Sequence, residues 1–242
     1  ARWDDPKPDG ASSKDWFPWR FARRLSLLSR PIVQLTTEDD PLCIVSPVIA
    51  ERGVDYALRA YNARLPDSYF RSKQMRSWVG GAIDRLGHAF NHKVADKLKE
   101  LGLQAEAEFL MTRLGGVAKD GDVDTLAWNS TTGDVFIIEC KRLLPDKTVG
   151  EIAERLIEFG PNHIERNGKR GPTRRHLDRV KILRGKLPQL ATTTGISQGA
   201  IKLRSCLVTS MLVPMQFERE AAAHFDVVSD FDTLQDNFVC RS

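Results

Sequence analysis

The sequence predicts an α/β fold in which helices flank a sheet, and three observations indicate it. A strand-turn-strand pattern occupies residues 122–141, apolar residues at helical spacing precede it between Ile83 and Leu98, and helical segments alternating with short apolar strands follow it. At 242 residues with 41% hydrophobic content, the chain is long enough to bury a substantial core. We expect a main domain over residues 67–242 and an N-terminal extension or linker, packed on it, over residues 1–66.

The N-terminal extension has no feature of a membrane anchor. Residues 1–14 are polar and rich in Pro, Gly and Asp, and a short strand is predicted between Pro41 and Pro47. The extension lacks the apolar core of a signal peptide, and the chain has no run of about eighteen apolar residues that could cross a membrane. We therefore expect a cytoplasmic protein with no membrane partner. Because the chain begins with Ala, we also expect it to be part of a longer polypeptide.

A long helix is predicted from about Tyr69 to Leu101, with a break at Gly80–Gly81. Its second half carries an apolar stripe at spacings of three and four, formed by Ile83, Leu86, Phe90, Val94 and Leu98. Residues 103–109 then alternate between apolar and polar types, which predicts a half-buried strand.

Residues 122–141 predict a β-hairpin that carries charges into an apolar setting. Two segments of strand character flank turn-forming residues at 129–134. Successive side chains of a strand point to opposite faces, so Asp122 and Asp124 share one face, as do Glu139 and Lys141. If these faces coincide, three carboxylates and an ammonium meet, and crowded carboxylates of this kind usually need a cation.

A solvated ion pair on an edge strand is the alternative explanation for Glu139 and Lys141, because most charge pairs in sheets are exposed. The isoleucines and leucines directly before and after the pair instead indicate a central, buried strand. Lys and Glu are rarely buried without a partner or a function. We therefore expect these charges to form a functional site.

The remaining elements follow the hairpin. We expect helices over residues 148–159, 173–185 and 230–238, and strands over residues 205–210 and 225–228. In the second of these helices the apolar spacing turns Leu177, Val180 and Leu183 inward and leaves Arg174, Arg175, Arg179 and Lys181 pointing away from the core.

Positive charge is concentrated between Arg166 and Lys186. Nine Lys or Arg stand there against one Asp, a local net charge of +8 in a chain whose net charge is +4. A solvated helix face is the alternative, but such segregation favours a polyanionic partner. The residues that we expect to bind nucleic acid are Lys169, Arg170, Arg174, Arg175 and Arg179.

The cysteines and histidines do not predict a zinc site. The four cysteines, Cys43, Cys140, Cys206 and Cys240, show no metal-ligand spacing and stand in apolar settings, so we expect reduced core thiols. His88 and His92 have helical i, i+4 spacing but no HExxH pattern surrounds them.

The order of helix, strand, hairpin with D-x-D and E-x-K, helix and strand resembles the PD-(D/E)XK nuclease superfamily. GDVDTLAW followed by VFIIECKRL is similar to the GDxD…ECK variants of restriction-type and defence-associated bacterial nucleases, and the resemblance covers residues 83–210. It implies a restriction-endonuclease-like core, α-β-β-β-α-β, with a mixed sheet flanked by helices. It also implies a Mg²⁺- or Mn²⁺-dependent DNA endonuclease of restriction or antiviral defence, with double-stranded DNA as partner and a homodimer as the expected assembly.

The resemblance also assigns the site residues. It implies that Asp124 and Glu139 bind the divalent cation, with the backbone carbonyl of Cys140 as third ligand. Lys141 is the lysine of the motif, which orients or helps to deprotonate the attacking water. The resemblance implies that Asp122 is a further carboxylate, which either binds a second metal or contacts the ligands of the first.

One position departs from the family pattern. Many members carry a glutamate within G-x-x-F-E on the helix before the first strand, whereas this chain has Gly87-His-Ala-Phe-Asn91. Asn91 is therefore a candidate accessory residue, because its side-chain oxygen can still ligate Mg²⁺ or hold a water. The departure keeps open an alternative function, a catalytically inactive nuclease-fold module that binds nucleic acid or a protein partner.

Overall fold

The computed structural model describes residues 32–36, 38–52, 73–143, 149–165, 168–218 and 222–238. The chain divides into two compact units, one of residues 1–84 with 148–150 and one of residues 85–147 with 151–242. The expected domain boundary at residue 66 lies outside the described residues.

The N-terminal unit contains a two-stranded antiparallel sheet. Strand β1 (Ile32–Gln34) pairs with β2 (Cys43–Val45), and Ile32 lies opposite Val45. Strand β2 confirms the prediction of a strand between the two prolines. Cys43 is exposed, so the expectation of a core thiol is wrong at this position, because all three residues of β2 face solvent.

The helices are α1 (Lys73–Glu100), α2 (Val149–Glu158), α3 (Pro172–Arg184), α4 (Leu187–Thr194) and α5 (Leu234–Phe238). The remaining strands are β3 (Gln104–Leu110), β4 (Asp122–Asn129), β5 (Asp134–Lys141), β6 (Lys202–Thr209) and β7 (Val227–Asp230). Helix α1 continues through Gly80 and Gly81, so the predicted break is wrong. Each glycine costs a helix only about 1 kcal/mol, which a long helix tolerates.

The second unit is built on a five-stranded mixed sheet in the order β3-β4-β5-β6-β7. Strands β3, β4 and β5 are antiparallel, whereas β5, β6 and β7 are parallel. The mixed sheet flanked by helices confirms the predicted α/β class. Strand β5 is central and every residue in it except Lys141 is buried, so the edge-strand alternative is wrong.

Helices cover both faces of this sheet. On one face, Phe90, Val94 and Leu98 of α1 pack against alternate residues of β5, Phe136, Ile138 and Cys140. On the other face, Val180 and Leu183 of α3 pack against Val135 and Ile137. Because strand residues alternate, Glu139 and Lys141 lie on the α3 face.

The pairing between β4 and β5 stops partway. It runs from Asn129 opposite Asp134 to Thr125 opposite Ile138, and the last three residues of β5 pair only with β6. The ends of β4 and β5 that carry the charged residues are therefore free of mutual backbone pairing, which leaves room for side chains between them.

Candidate active site

Glu139 and Lys141 of β5 meet Asp124 of β4 at this unpaired end. The Lys141 Nζ lies 2.7 Å from Glu139 Oε1 and 4.0 Å from Asp124 Oδ2. The Glu139 side chain is only 3% exposed, whereas those of Asp124 and Lys141 are 18% and 26% exposed. The three residues predicted to carry the chemistry are thus assembled, with Lys141 between the carboxylates and partly exposed.

Asp124 occupies the gap between the strands. Its Oδ2 accepts a hydrogen bond of 2.8 Å from the Cys140 backbone N–H, in place of the missing strand partner. The N–H and C=O of one strand residue point to the same side, so the Cys140 carbonyl also faces this gap. The carbonyl predicted as a ligand is therefore directed towards Asp124.

Helix α3 adds Arg179 to the cluster. Its Nη2 lies 3.2 Å from Glu139 Oε2, and its Nη1 donates to the backbone carbonyl of Asp122. The Arg179 side chain is only 14% exposed. The prediction that Arg179 points away from the core is therefore wrong: its attraction to the buried Glu139 carboxylate outweighs the helix-face pattern.

His176 lies one turn earlier on the same face of α3. Its side chain is 1% exposed, its Nε2 hydrogen-bonds Ser205 Oγ at 2.9 Å, and its Nδ1 lies 3.8 Å from Glu139 Oε2. Burial lowers the pKa of His176 to about 4, with Glu139 opposing the shift and Arg179 reinforcing it. The imidazole is therefore neutral at physiological pH.

The pKa values of the two carboxyls move in opposite directions. Burial, and then repulsion from Glu139, raises the pKa of Asp124 to about 6. Burial would also raise the pKa of Glu139, but the charges of Lys141 and Arg179 outweigh it and lower this pKa to about 2. The pKa of Lys141 is raised, because the two carboxylates outweigh the effect of burial. At neutral pH two carboxylates thus face two cations.

This balance changes the electrostatic interpretation of the site. The sequence suggested that the crowded carboxylates need a cation, and Lys141 and Arg179 supply two positive charges from within the chain. Among the described residues, no group of three or more His, Cys, Asp or Glu side chains is arranged to hold a metal ion. Asp122 contacts this cluster through its backbone carbonyl, which accepts a hydrogen bond from Arg179.

The structure does not bring Asn91 to the carboxylates. Its backbone carbonyl accepts a hydrogen bond of 3.2 Å from Thr125 Oγ1, which lies 3.6 Å from Cys140 Sγ. Asn91 therefore approaches the face of the sheet opposite Glu139. Within the described part of the chain, Asn91 has no hydrogen bond or ion pair with the carboxylate of Asp124 or Glu139. His88 and His92, nearby on α1, face Glu108 instead.

Several of the predicted nucleic-acid-binding residues already have ionic partners. Arg170 Nη1 lies 2.5 Å from Asp178 Oδ2, and Arg174 Nε lies 3.4 Å from Asp178 Oδ1. Arg175 binds Glu165 at 2.7 Å, and Lys169 is exposed. These residues form a positively charged surface on and before α3, partly neutralised by these carboxylates.

A family model described as anti-phage protein Upx-like matches residues 1–234. The chain belongs to this Upx-like family. The match supports the predicted role in defence against phage. No curated protein and no solved structure matches the chain.

Sequence reasoning missed one residue of this site, His176, and it predicted Arg179 to bind nucleic acid without predicting its contact with Glu139. A signal for His176 was present, because His176, Val180 and Leu183 have spacings of four and three and lie on one helix face. A histidine on an otherwise apolar helix face indicates a buried polar contact. Arg179 could not be separated from the exposed arginines, because that distinction depends on how α3 docks onto β5.

None of the described helices of the Upx-like chain combines the length and the apolar composition that a bilayer-spanning helix requires.

Proposed function

We propose that this Upx-like protein is a divalent-metal-dependent nuclease with a restriction-endonuclease-like core, which cleaves DNA during defence against phage. The observation that carries the proposal is the meeting of Asp124, Glu139 and Lys141 where β4 and β5 stop pairing. The order α1-β3-β4-β5 followed by α3 and β6 supports the same core. Family membership supports the defence role and not the chemistry.

The donor set fits a hard divalent cation. Asp124, Glu139 and the Cys140 carbonyl offer oxygen atoms, and Mg²⁺ is commonly held by one or two carboxylates while it keeps several waters. A set of two carboxylates is therefore sufficient, even though no larger acidic cluster occurs in the described residues. When bound, Mg²⁺ or Mn²⁺ would neutralise phosphate charge and lower the pKa of a bound water.

The protein's own groups divide the remaining tasks. Lys141 keeps its proton because its pKa is raised, so it acts as an ammonium that orients a water and stabilises negative charge. Arg179 presents a guanidinium beside Glu139, where it can bind a phosphate oxygen as well as the carboxylate. His176 is neutral and buried, and it fixes the position of α3 against β6 through Ser205.

A second candidate function is a nuclease-fold module that binds nucleic acid or a protein partner without cleaving. The observation that favours it is the internal neutralisation of Asp124 and Glu139 by Lys141 and Arg179, which leaves the charge of the cluster balanced without a metal. Asn91, which stands where the family glutamate is expected, is consistent with this alternative.

The deciding experiment incubates the protein with plasmid, linear duplex, single-stranded DNA and RNA, in Mg²⁺, in Mn²⁺ and in EDTA. We expect cleavage of DNA with either metal and none in EDTA. Lys141→Ala should lower the cleavage rate at least about 100-fold, the usual loss for a group acting in the transition state, while DNA binding stays nearly unchanged. The matched control is Lys97→Ala, which removes a half-exposed lysine of α1 far from the site in sequence.

Two results would contradict the nuclease assignment. One is full cleavage by Lys141→Ala, which would place the activity elsewhere or in a contaminant. The other is the absence of cleavage of every substrate by a folded protein that binds DNA, which would favour the binding module.

A further inference from the structure

A pocket lined by charged residues opens beside the candidate active site. It has a volume of about 530 Å³ and lies between residues 119–122 and helix α3. Five cationic side chains line it: Lys119, Arg170, Arg175, Arg179 and Lys181. This volume is within the range of about 300–1,000 Å³ that small-ligand sites occupy.

Three carboxylates line the pocket, and the contacts of two of them, Asp120 and Asp178, are with other groups of the chain. Asp120 Oδ2 accepts a hydrogen bond of 2.9 Å from the Val117 N–H, which closes its own loop. Asp178 binds Arg170 and Arg174. Asp178 therefore neutralises arginines and Asp120 closes a loop, and neither forms an ion pair with Lys119 or Lys181 in the described part of the chain.

Lys119 and Lys181 are the cations available to a ligand. Both are exposed, and neither forms an ion pair with any residue in the described part of the chain. They approach the pocket from two different segments, the loop before β4 and the helix α3. A multiply charged anion between them would replace their separate hydration with direct charge-assisted hydrogen bonds.

The composition of the wall indicates which part of a nucleic acid it suits. Among the described residues that line it, Ile182 is the single apolar side chain and none is aromatic. Bases are usually held by stacking on aromatic rings, whereas phosphates are held by Lys, Arg and backbone N–H groups. The pocket therefore suits phosphate and sugar better than a stacked base.

Arg179 connects the pocket to the catalytic cluster. It lines the pocket and also lies 3.2 Å from Glu139 Oε2. We propose that this pocket is a phosphate subsite, in which Lys119 and Lys181 hold a backbone phosphate adjacent to the one that is cleaved, independently of base sequence. The reference to cleavage rests on the proposed nuclease function, whereas the binding of phosphate does not.

The test measures binding without cleavage, using the full chain in EDTA. Fluorescence anisotropy follows a labelled duplex of mixed sequence, a second duplex of shuffled sequence, and competition by inorganic pyrophosphate, over a range of salt concentrations. The variant is Lys119→Ala/Lys181→Ala, and the charge-matched control is Lys97→Ala/Lys99→Ala, two partly exposed lysines of α1 with their own acidic partners.

We expect the pocket variant to lower the salt dependence of duplex binding by about one unit of slope for each lysine. A slope of about 0.9 for each phosphate contact makes binding at 0.1 M salt about eightfold tighter than at 1 M salt. Loss of both lysine contacts should therefore weaken duplex binding at 0.1 M salt about 60-fold. The control should keep the wild-type slope. Both duplexes should bind alike, and equal melting temperatures should show that every variant is folded.

The outcomes separate the alternatives. An unchanged slope and affinity in a folded pocket variant would overturn the subsite. Loss of pyrophosphate competition with intact duplex binding would show that the pocket takes a free phosphate compound, which overturns the backbone assignment. A sequence preference that disappears in the pocket variant would overturn base-independent binding. If the wild-type protein never cleaves but the lysine variant binds DNA weakly, the nuclease proposal fails and the subsite stands.

Discussion

Asp124→Asn should make the metal-free protein more stable at neutral pH. The pKa of Asp124 rises from 3.8 to about 6, mainly because burial penalises its charged form. The folded state therefore binds more protons than the unfolded state between these two pH values, and stability falls as the pH rises through this window. Asn has no charge to bury, and its side-chain oxygen can still accept the hydrogen bond from the Cys140 N–H.

The magnitude follows from the shift. A pKa unit corresponds to about 1.4 kcal/mol, so the ionised Asp124 destabilises the folded state by about 3 kcal/mol at pH 7, about 1.6 kcal/mol at pH 5 and about 0.5 kcal/mol at pH 4. For a protein of this size, about 3 kcal/mol raises the melting temperature by about 6–12 °C. The gain in Asp124→Asn should thus be largest at pH 7–8 and nearly vanish at pH 4.

The assay is urea and thermal unfolding of both proteins in EDTA from pH 4 to pH 8. Asp134→Asn is the matched control, because the pKa of Asp134 is lowered by hydrogen bonds from Thr132 and Arg204, which outweigh its burial. The control should be less stable than the wild type at pH 7, so the two Asp→Asn substitutions should change stability in opposite directions. A destabilised Asp124→Asn protein, or a gain that does not change with pH, would refute the reasoning.

Two further stability predictions follow from packing. His176→Ala should lower the free energy of unfolding by about 2–3 kcal/mol, because it leaves a cavity and removes the Ser205 hydrogen bond. Urea unfolding measures this loss, with the exposed His92→Ala as control. A loss equal to that of the control would show that the histidine is not packed as described. Gly133→Ala should lower it by about 2 kcal/mol or more, because Gly133 has φ 77° and an added Cβ would lie 2.2 Å from the Ala200 carbonyl oxygen. The control there is Gly199→Ala, where nothing lies within 4 Å, and equal melting temperatures of the two variants would contradict the prediction.

The β4–β5 hairpin was predictable because its signals are local. Alternation, turn residues and the apolar run before Glu139 lie within one short stretch, and the same stretch indicated that β5 is central. Strand alternation within the hairpin predicts that Asp124, Glu139 and Lys141 lie close together, and the structure confirms this proximity. The end of the β4–β5 pairing at Thr125 and Ile138, which opens the gap that Asp124 fills, was not predicted.

The contributions of α3 were not predictable in the same way. Its helical character and apolar stripe are local features, and both were identified. Which arginine reaches Glu139 depends on the rotation and depth at which α3 docks on the sheet, and these depend on packing of Val180 and Leu183 with β5. The helix α4 was missed because its run of threonines has low helix propensity, and its N-terminal proline alone does not predict a helix.

The distance along the chain between the hairpin and Arg179 has a consequence for biosynthesis. Arg179 is 57 residues after Asp122 and 40 residues after Glu139, and β6 pairs with β5 only after this whole segment has been made. These contacts cannot form before the later residues have been synthesised. A nascent chain that has emerged only as far as the hairpin carries the complete D-x-D and E-x-K motif, yet it lacks the guanidinium and the strand that complete the site. Any activity of this protein should therefore be absent during synthesis and begin only when nearly the whole second unit has left the ribosome.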